Sequence, residues 1–191
     1  MFFVIFYLSV TYGFGIDLVY EVEAQKENTH NLPKRSRLYQ GIIDSKLLPP
    51  GVVDFNLLNE VLIVLIMPFD LFGYELYRYT FQMRCEEVPE LKLDDGATRI
   101  FLNTKGKHPE LVSQELIELL KYMERSTDEV SRECKSKRIQ EMHRRVCQIK
   151  ASEKAEVKYM HHLHIHADAL ILSYIIHQTN LHFASSLIHL S

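Results

Sequence analysis

The sequence predicts an α/β fold, in which strands of a mixed sheet are flanked by helices. Residues 18–25 alternate apolar and polar side chains, a pattern typical of a strand with one polar face. Residues 61–67 are continuously aliphatic, which indicates a strand buried on both faces. Residues 34–48 between them have a helical pattern that two prolines and a glycine end. At 191 residues, the chain is long enough for one such domain with its own core.

The first ten residues, MFFVIFYLSV, form an apolar segment without a charged side chain. We interpret this segment as a buried strand, because it is well short of the roughly 20 residues that span a bilayer. A secretory signal is not predicted, since the first basic residue is Lys26. A membrane-associated start is the alternative interpretation, but we expect no stable membrane insertion.

Two further strands and a helix are predicted before residue 125. Residues 74–83 alternate with aromatic side chains, and residues 99–102 follow an Asp-Gly turn signal, so both segments are predicted strands. Residues 109–123 have the spacing of an amphipathic helix. The apolar positions of this helix include Leu111, Ile117 and Leu120.

The remaining chain divides into two predicted segments after a domain that covers residues 1–125. Residues 126–160 form a charged helical extension, whose helix begins near Asp128 with Ser126 and Glu129 as a capping box. Residues 161–191 form an apolar tail that contains seven of the ten histidines. We interpret this tail as incidentally rich in histidine, with a zinc or nickel site as the alternative.

Charge and cysteine usage restrict the class of protein. With 22 basic and 25 acidic residues the net charge is −3, which excludes a protein that is basic throughout. Any contact with nucleic acid must therefore come from a local basic patch. Cys85, Cys134 and Cys147 are an odd number without CxxC spacing. They fit neither a disulfide framework nor a zinc knuckle and indicate a reducing, cytoplasmic location.

A polar pair at the end of the first alternating strand could take part in chemistry. Glu23 and Gln25 point to the same face, because side chains alternate along a strand. A carboxylate beside an amide can bind a divalent cation and a water molecule, and Mg²⁺ prefers such oxygen ligands. The pattern is also common on solvated strand faces, so its surroundings must decide between the two interpretations.

The helix over residues 34–48 begins with positive charge in a chain that is slightly acidic overall. The basic residues of its first turns are Lys34, Arg35 and Arg37. The amide groups of a helix N-terminus also favour an anion such as phosphate. Arg37, Gln40 and Asp44 share one face of this helix, and a second, apolar face carries Leu38 and Ile42. A charged face exposed to solvent is the alternative interpretation.

Four blocks of sequence resemble a known family when they are taken in order. They are VEAQ (22–25), NLPKRSRLYQGIID (31–44), LIVLIMPFDLFGYELYRYTFQMRCEE (62–87) and LDDGATRIFLNTKG (93–106). Together they resemble the recombination-promoting nuclease and putative transposase family of the PD-(D/E)XK nuclease superfamily. The resemblance covers about residues 16–124 and implies a restriction-endonuclease-like mixed sheet.

The resemblance implies roles for individual residues. It makes Glu23 a Mg²⁺ ligand and places Gln25 where the superfamily has its catalytic lysine. It places Tyr39 and Gln40 in the family's helix motif, with Gln40 as a further catalytic residue. Asp17 is the only acidic residue before Glu21 and is the candidate for the second metal ligand. The residues that the resemblance and the charge pattern assign to DNA are Lys34, Arg35, Arg37 and Tyr39.

The implied function is Mg²⁺-assisted hydrolysis of DNA phosphodiesters by an endonuclease that acts in recombination. The alternative is an inactive remnant of the nuclease fold that retains DNA binding or protein interaction. Only 22 residues precede Glu23, a space in which two strands and their turn scarcely fit. We therefore expect a domain truncated at its N-terminal side, with Asp17 in a turn and little Mg²⁺-dependent cleavage.

Overall fold

The computed structural model describes residues 4–12, 16–48 and 50–153, and it describes the side chains of residues 23–48 and 50–148. The chain forms two compact units with their boundary between His108 and Pro109. This boundary differs from the predicted one after residue 125, because the helix predicted over residues 109–123 belongs to the second unit. The histidine-rich tail of residues 161–191 lies outside the described residues.

The first unit is built on a five-stranded mixed sheet with the strand order β1-β2-β3-β5-β4. The strands are β1 (Val4–Tyr12), β2 (Ile16–Ala24), β3 (Glu60–Met67), β4 (Arg78–Phe81) and β5 (Ala97–Asn103). The three inner strands β2, β3 and β5 are parallel, and β1 and β4 are antiparallel edge strands. The predicted α/β class with a mixed sheet is confirmed.

The chain forms two paired strands, β1 and β2, by residue 24, which corrects the expectation of a truncated start without room for them. β1 pairs with β2 along its whole length, from Val4 opposite Ala24 to Tyr12 opposite Ile16. The expectation that two strands and a turn scarcely fit before Glu23 was therefore wrong, because only residues 13–15 lie between the strands. Asp17 is in β2 and not in a turn. The prediction that residues 1–10 are buried stays a prediction, because their side chains lie outside the described ones.

The α-helix α1 (Leu32–Leu47) and a short 3-10 helix (Phe55–Leu57) lie in the connection between the parallel strands β2 and β3. α1 begins two residues before the predicted start, because Pro33 is accepted in the first turn of a helix, where the proline needs no amide hydrogen. Its buried side contains Leu32, Ser36 and Ile43. Leu38 and Ile42 are 60% and 40% exposed, so the predicted apolar face is not the face that packs on the sheet.

β3 is the centre of the core. Every residue from Val61 to Met67 is buried, which confirms the prediction of a strand covered on both faces. Its odd-numbered side chains pack with α1 and with aromatic residues of β4 and β5. This cluster consists of Leu32, Ile43, Val61, Ile63, Leu65, Met67, Tyr79 and Phe101.

The segment predicted as a strand over residues 74–83 is a strand only at Arg78–Phe81. The chain turns before it, and Gly73 and Glu75 have positive φ angles of 81° and 56°. The carboxylate of Asp70 organises this turn by accepting hydrogen bonds from the Phe72 amide (3.1 Å) and the Glu75 amide (2.6 Å). It also accepts one from the Tyr79 hydroxyl (2.7 Å). Aromatic alternation alone could not show this turn.

The second unit contains the helices α2 (Gln114–Glu124), α3 (Asp128–Glu133) and α4 (Lys137–Glu153). α2 begins five residues later than predicted because the Ser113 hydroxyl caps it by accepting from the Leu116 amide (3.2 Å). Leu111, predicted on its apolar face, is therefore outside it and 61% exposed. Thr127, and not Ser126, caps α3. The single charged helix predicted from Asp128 is two helices, since the chain is not helical between Glu133 and Lys137.

Among the described residues, no helix combines the length and the apolar composition that are needed to cross a membrane.

We predict that a charge at Ile63 prevents folding. Ile63 is 1% exposed in the middle of β3, so Ile63→Asp buries a carboxylate without a partner at a cost of several kcal/mol. Soluble expression and thermal unfolding measure this effect. Leu38→Asp, at a position 60% exposed, is the matched control and should leave the melting temperature nearly unchanged. Equal behaviour of the two variants would contradict the assignment of β3 to the core.

We also predict that the Asp70 turn stabilises the fold only where the carboxylate is ionised. Partial burial raises the pKa of Asp70, but hydrogen bonds from Tyr79 and three backbone amides outweigh this effect, so the net pKa is lowered. Its contribution is therefore present above the unfolded value of about 3.9 and is lost as the pH falls through the lower folded value. Asp70→Ala should cost about 1 kcal/mol at neutral pH, because the carboxylate is partly exposed and solvent screens its interactions. In urea titrations the difference from wild type should shrink below about pH 4; a constant difference would contradict this role.

Candidate functional site

The candidate site lies where β2 ends, on the side of the sheet that α1 covers. Glu23 is opposite Leu65 of β3, which is opposite Phe101 of β5. Paired residues of neighbouring strands point to the same face. Leu65 and Phe101 belong to the core beneath α1, so Glu23 points into that core, and it is fully buried.

Gln25 is the residue directly after β2, two positions beyond Glu23. Its backbone N–H donates to the backbone carbonyl of Ile66 (2.8 Å), which extends the pairing with β3. Its side chain is also buried, and its Nε2 group donates to the carbonyl of Glu27 (2.7 Å). These hydrogen bonds leave the amide oxygen Oε1 directed towards the same partner as Glu23.

That partner is Arg35 from the first turns of α1. One terminal nitrogen of its guanidinium donates to Glu23 Oε1 (2.5 Å) and to Gln25 Oε1 (3.0 Å). The other donates to Thr29 Oγ1 and Asn31 Oδ1, both at 3.3 Å. Glu23 and Gln25 thus lie close together, as predicted. Arg35, which was predicted to contact DNA, instead forms an ion pair with Glu23, and its side chain is only 16% exposed.

The other basic residues at the start of α1 face solvent. Lys34 and Arg37 are exposed. The first turn of α1 contains no acidic residue, and within the described chain the side chain of the N-cap residue Asn31 makes no capping hydrogen bond. Its carboxamide oxygen accepts from Thr29 and Arg35 instead. The helix therefore presents positive charge and an uncapped N-terminus, a combination suited to an anion.

Gln40 and Tyr39 have partners other than Glu23. Gln40 Oε1 accepts a hydrogen bond from the guanidinium of Arg99 on β5, and Gln40 also forms a hydrogen bond with Asp44. Burial raises the pKa of Asp44, and the hydrogen bond from Gln40 opposes that increase. Tyr39 is half-buried against the core cluster, which indicates a packing role for its ring.

Arg99 is the site residue that the sequence analysis missed. It lies opposite Ile63 and therefore points to the same face of the sheet as Glu23. Among the described side chains, Glu23 Oε2 and Arg99 Nε are the buried polar atoms without a hydrogen-bond partner. A single arginine in the otherwise apolar stretch RIFL (99–102) was the available signal.

Asp17 and Glu23 do not form the two-carboxylate Mg²⁺ site that the resemblance implies. Asp17 is six residues before Glu23 on the same strand, a separation of about 20 Å at about 3.3 Å per residue. The residue opposite Glu23 on the neighbouring strand β1 is Ile5, and β1 contains no acidic residue. Asp17 and Glu23 therefore do not share one ion in this arrangement. The unpartnered Oε2 of Glu23 could supply one ligand, while Arg35 already neutralises Oε1.

We predict that the Arg35–Glu23 pair is essential for stability. Removing one partner leaves the other charge buried, so Arg35→Ala should lower the free energy of unfolding by about 3–5 kcal/mol. Arg35→Ala combined with Glu23→Gln should cost less than the sum of the two single changes, because the two groups are in direct contact. Urea unfolding of the four proteins measures this coupling. A loss below about 0.5 kcal/mol for Arg35→Ala, as at ordinary surface positions, would refute the prediction.

Comparison with protein-family models, curated proteins and solved structures finds no significant match to this chain. The resemblance to the recombination-promoting nucleases thus stays a prediction from the four sequence blocks.

Proposed function

We propose that this chain is a DNA-binding domain of the PD-(D/E)XK nuclease type in which metal-dependent cleavage is weak or absent. The observation that carries the proposal is the N-terminus of α1, where exposed cations and an uncapped helix end lie next to a neutralised carboxylate. The sequence resemblance supplies the nuclease type, and the geometry supports DNA binding over cleavage.

The charges around α1 favour a phosphate backbone. Lys34 and Arg37 are exposed and can approach two phosphates, while the helix N-terminus adds partial positive charge from its amides. The one carboxylate of the site, Glu23, is paired with Arg35 and so repels an approaching phosphate only weakly. Because the chain as a whole is slightly acidic, binding should depend on this local patch.

Cleavage requires more than this arrangement supplies. A Mg²⁺ ion that activates water is usually held by one or two carboxylates together with water and substrate phosphate, in near-octahedral geometry. Here Asp17 is too far along β2 to share an ion with Glu23, and one of the two carboxylate oxygens of Glu23 accepts a hydrogen bond from the Arg35 guanidinium. An ion at Glu23 must displace Arg35 or bind through Oε2 alone.

A Mg²⁺-dependent DNA endonuclease that acts in recombination is the second candidate function. It is favoured by one observation, namely that Glu23 Oε2 is buried without a hydrogen-bond partner among the described residues. Such an atom is costly unless a ligand satisfies it. In this case Glu23 would bind the ion, Gln25 would orient a water molecule, and Lys34 and Arg37 would hold the DNA backbone.

DNA binding and cleavage can be measured on the same preparations. We expect wild-type protein to bind duplex DNA, with an affinity that falls steeply as salt concentration rises. Lys34→Ala and Arg37→Ala should each weaken binding and reduce the slope of log K against log salt by roughly 1. Lys92→Ala removes an exposed lysine outside α1 and serves as the matched control. Unchanged binding by both α1 variants would overturn the proposal.

Supercoiled plasmid with Mg²⁺ or Mn²⁺ tests the second candidate. We expect little or no nicking, and no difference between wild type and Glu23→Ala. Robust nicking by wild type that disappears in Glu23→Ala, while circular dichroism shows that this variant is still folded without the partner of Arg35, would establish the endonuclease and refute weak or absent cleavage. Nicking of equal strength in both proteins would indicate a contaminating nuclease, so that it would not count as activity of this site.

A further inference from the structure

Three side chains with metal-ligating atoms converge in the second unit. They are Asp128 at the start of α3, and His143 and Cys147 one turn apart on α4. One ligand atom from each lies within 4.8 Å of the other two. His143 Nε2 is 2.8 Å from Asp128 Oδ1 and 3.5 Å from Cys147 Sγ.

The carboxylate and the thiol meet at the same nitrogen of His143. In a nucleophilic relay, a thiol and an orienting carboxylate contact opposite nitrogens of the imidazole ring, so that a proton passes through the ring. Here Nε2 faces both groups, and Nδ1 is 3.0 Å from the hydroxyl of Tyr122. Three ligand atoms around one point form a chelate arrangement and not a relay.

Tyr122 of α2 fixes the orientation of His143. The two rings pack edge to face with their centroids 5.6 Å apart, and Tyr122 is 2% exposed. When Nδ1 donates its proton to the Tyr122 hydroxyl, Nε2 carries the lone pair that a metal ion needs. A hydrogen bond to the remote nitrogen of a ligating histidine is a common feature of metal sites.

We propose that Asp128, His143 and Cys147 bind a divalent zinc ion, with water as the fourth ligand. A set of one oxygen, one nitrogen and one sulfur ligand suits the borderline-soft Zn²⁺ and not Mg²⁺ or Ca²⁺. Ligand atoms bound at about 2.0–2.3 Å lie roughly 3–4 Å apart in a tetrahedron. Two of the three separations already fall near that range, so small side-chain rotations complete the site.

The surroundings allow an ion to enter. Asp128 and Cys147 are exposed, whereas the side chain of His143 is only 13% exposed and is held by Tyr122. The site thus combines one fixed ligand with two that can close around an ion from solvent. It is independent of the proposed DNA-binding function, because all four residues belong to the second unit.

Co²⁺ is the probe that tests the site, because a Co²⁺–thiolate bond gives a charge-transfer band in the near ultraviolet. Full-length protein under reducing conditions should develop this band together with the visible bands of a tetrahedral ion, and Zn²⁺ should displace Co²⁺. The seven histidines of residues 161–191 can also bind Co²⁺, but that tail contains no cysteine, so it cannot produce the band. The band should disappear in Cys147→Ala and persist in the matched control Cys85→Ala.

Loss of the Co²⁺–thiolate band as Zn²⁺ is added then measures the affinity of this site for Zn²⁺, because the histidine-rich tail contains no cysteine and does not contribute to that band. Tyr122→Phe keeps the buried ring but removes the hydroxyl, and it should weaken Zn²⁺ binding by about 10–100-fold. Asp128→Asn should weaken it as well, without loss of the thiolate band. Circular dichroism confirms that each variant is folded.

Two results would overturn the proposal. One is the absence of a thiolate band in wild type at saturating Co²⁺, and the other is a band that persists in Cys147→Ala. Unchanged Zn²⁺ affinity in Tyr122→Phe would remove Tyr122 as the positioning residue.

Discussion

The buried ion pair between Glu23 and Arg35 is the constraint on which the first unit depends. A carboxylate inside an apolar core is tolerated only when a charge and hydrogen bonds compensate for its lost hydration. Arg35 can meet this need only if α1 begins close to the end of β2. The short connection between them supplies Thr29 and Asn31 as further acceptors, so both terminal nitrogens of the guanidinium have hydrogen-bond partners. The pair therefore fixes where the helix starts and which residues surround the candidate site.

Sequence could predict the strands and helices whose buried side chains follow one regular pattern over many residues. The aliphatic run of β3 has one physical explanation, since a strand without polar positions needs both faces covered. The apolar face of α1 could not be predicted, because Leu38 and Ile42 have helical spacing but Leu32, Ser36 and Ile43 meet the sheet. Likewise the aromatic residues before β4 lie in the turn that Asp70 organises. Its hydrogen bonds reach residues five and nine positions along the chain, and a periodic sequence pattern does not reveal them.

For the candidate site, sequence alone could show which side chains share a strand face but not which partner reaches them. The alternation of β2 placed Glu23 and Gln25 together, and the structure agrees. Arg35 was expected at the surface with Lys34 and Arg37. The sequence shows that three basic residues lie in the first turns of the helix, but it does not show which of them points towards the sheet. The proposed zinc ligands illustrate the same limit. His143 and Cys147 are four residues apart and could have been noticed, but Asp128 joins them only through the packing of α3 and α4.

The ion pair also determines how the first unit can respond to a cation. Arg35 and a divalent ion would compete for the same carboxylate, so an ion that binds through Glu23 Oε1 must release the guanidinium. The released guanidinium would lie at the start of α1, beside Lys34 and Arg37, where it could bind DNA phosphate in a bidentate manner. Cation binding and phosphate binding at this site would then favour each other, since each uses a group that the other sets free. In the arrangement described here Arg35 remains with Glu23, and this is why we propose DNA binding without cleavage.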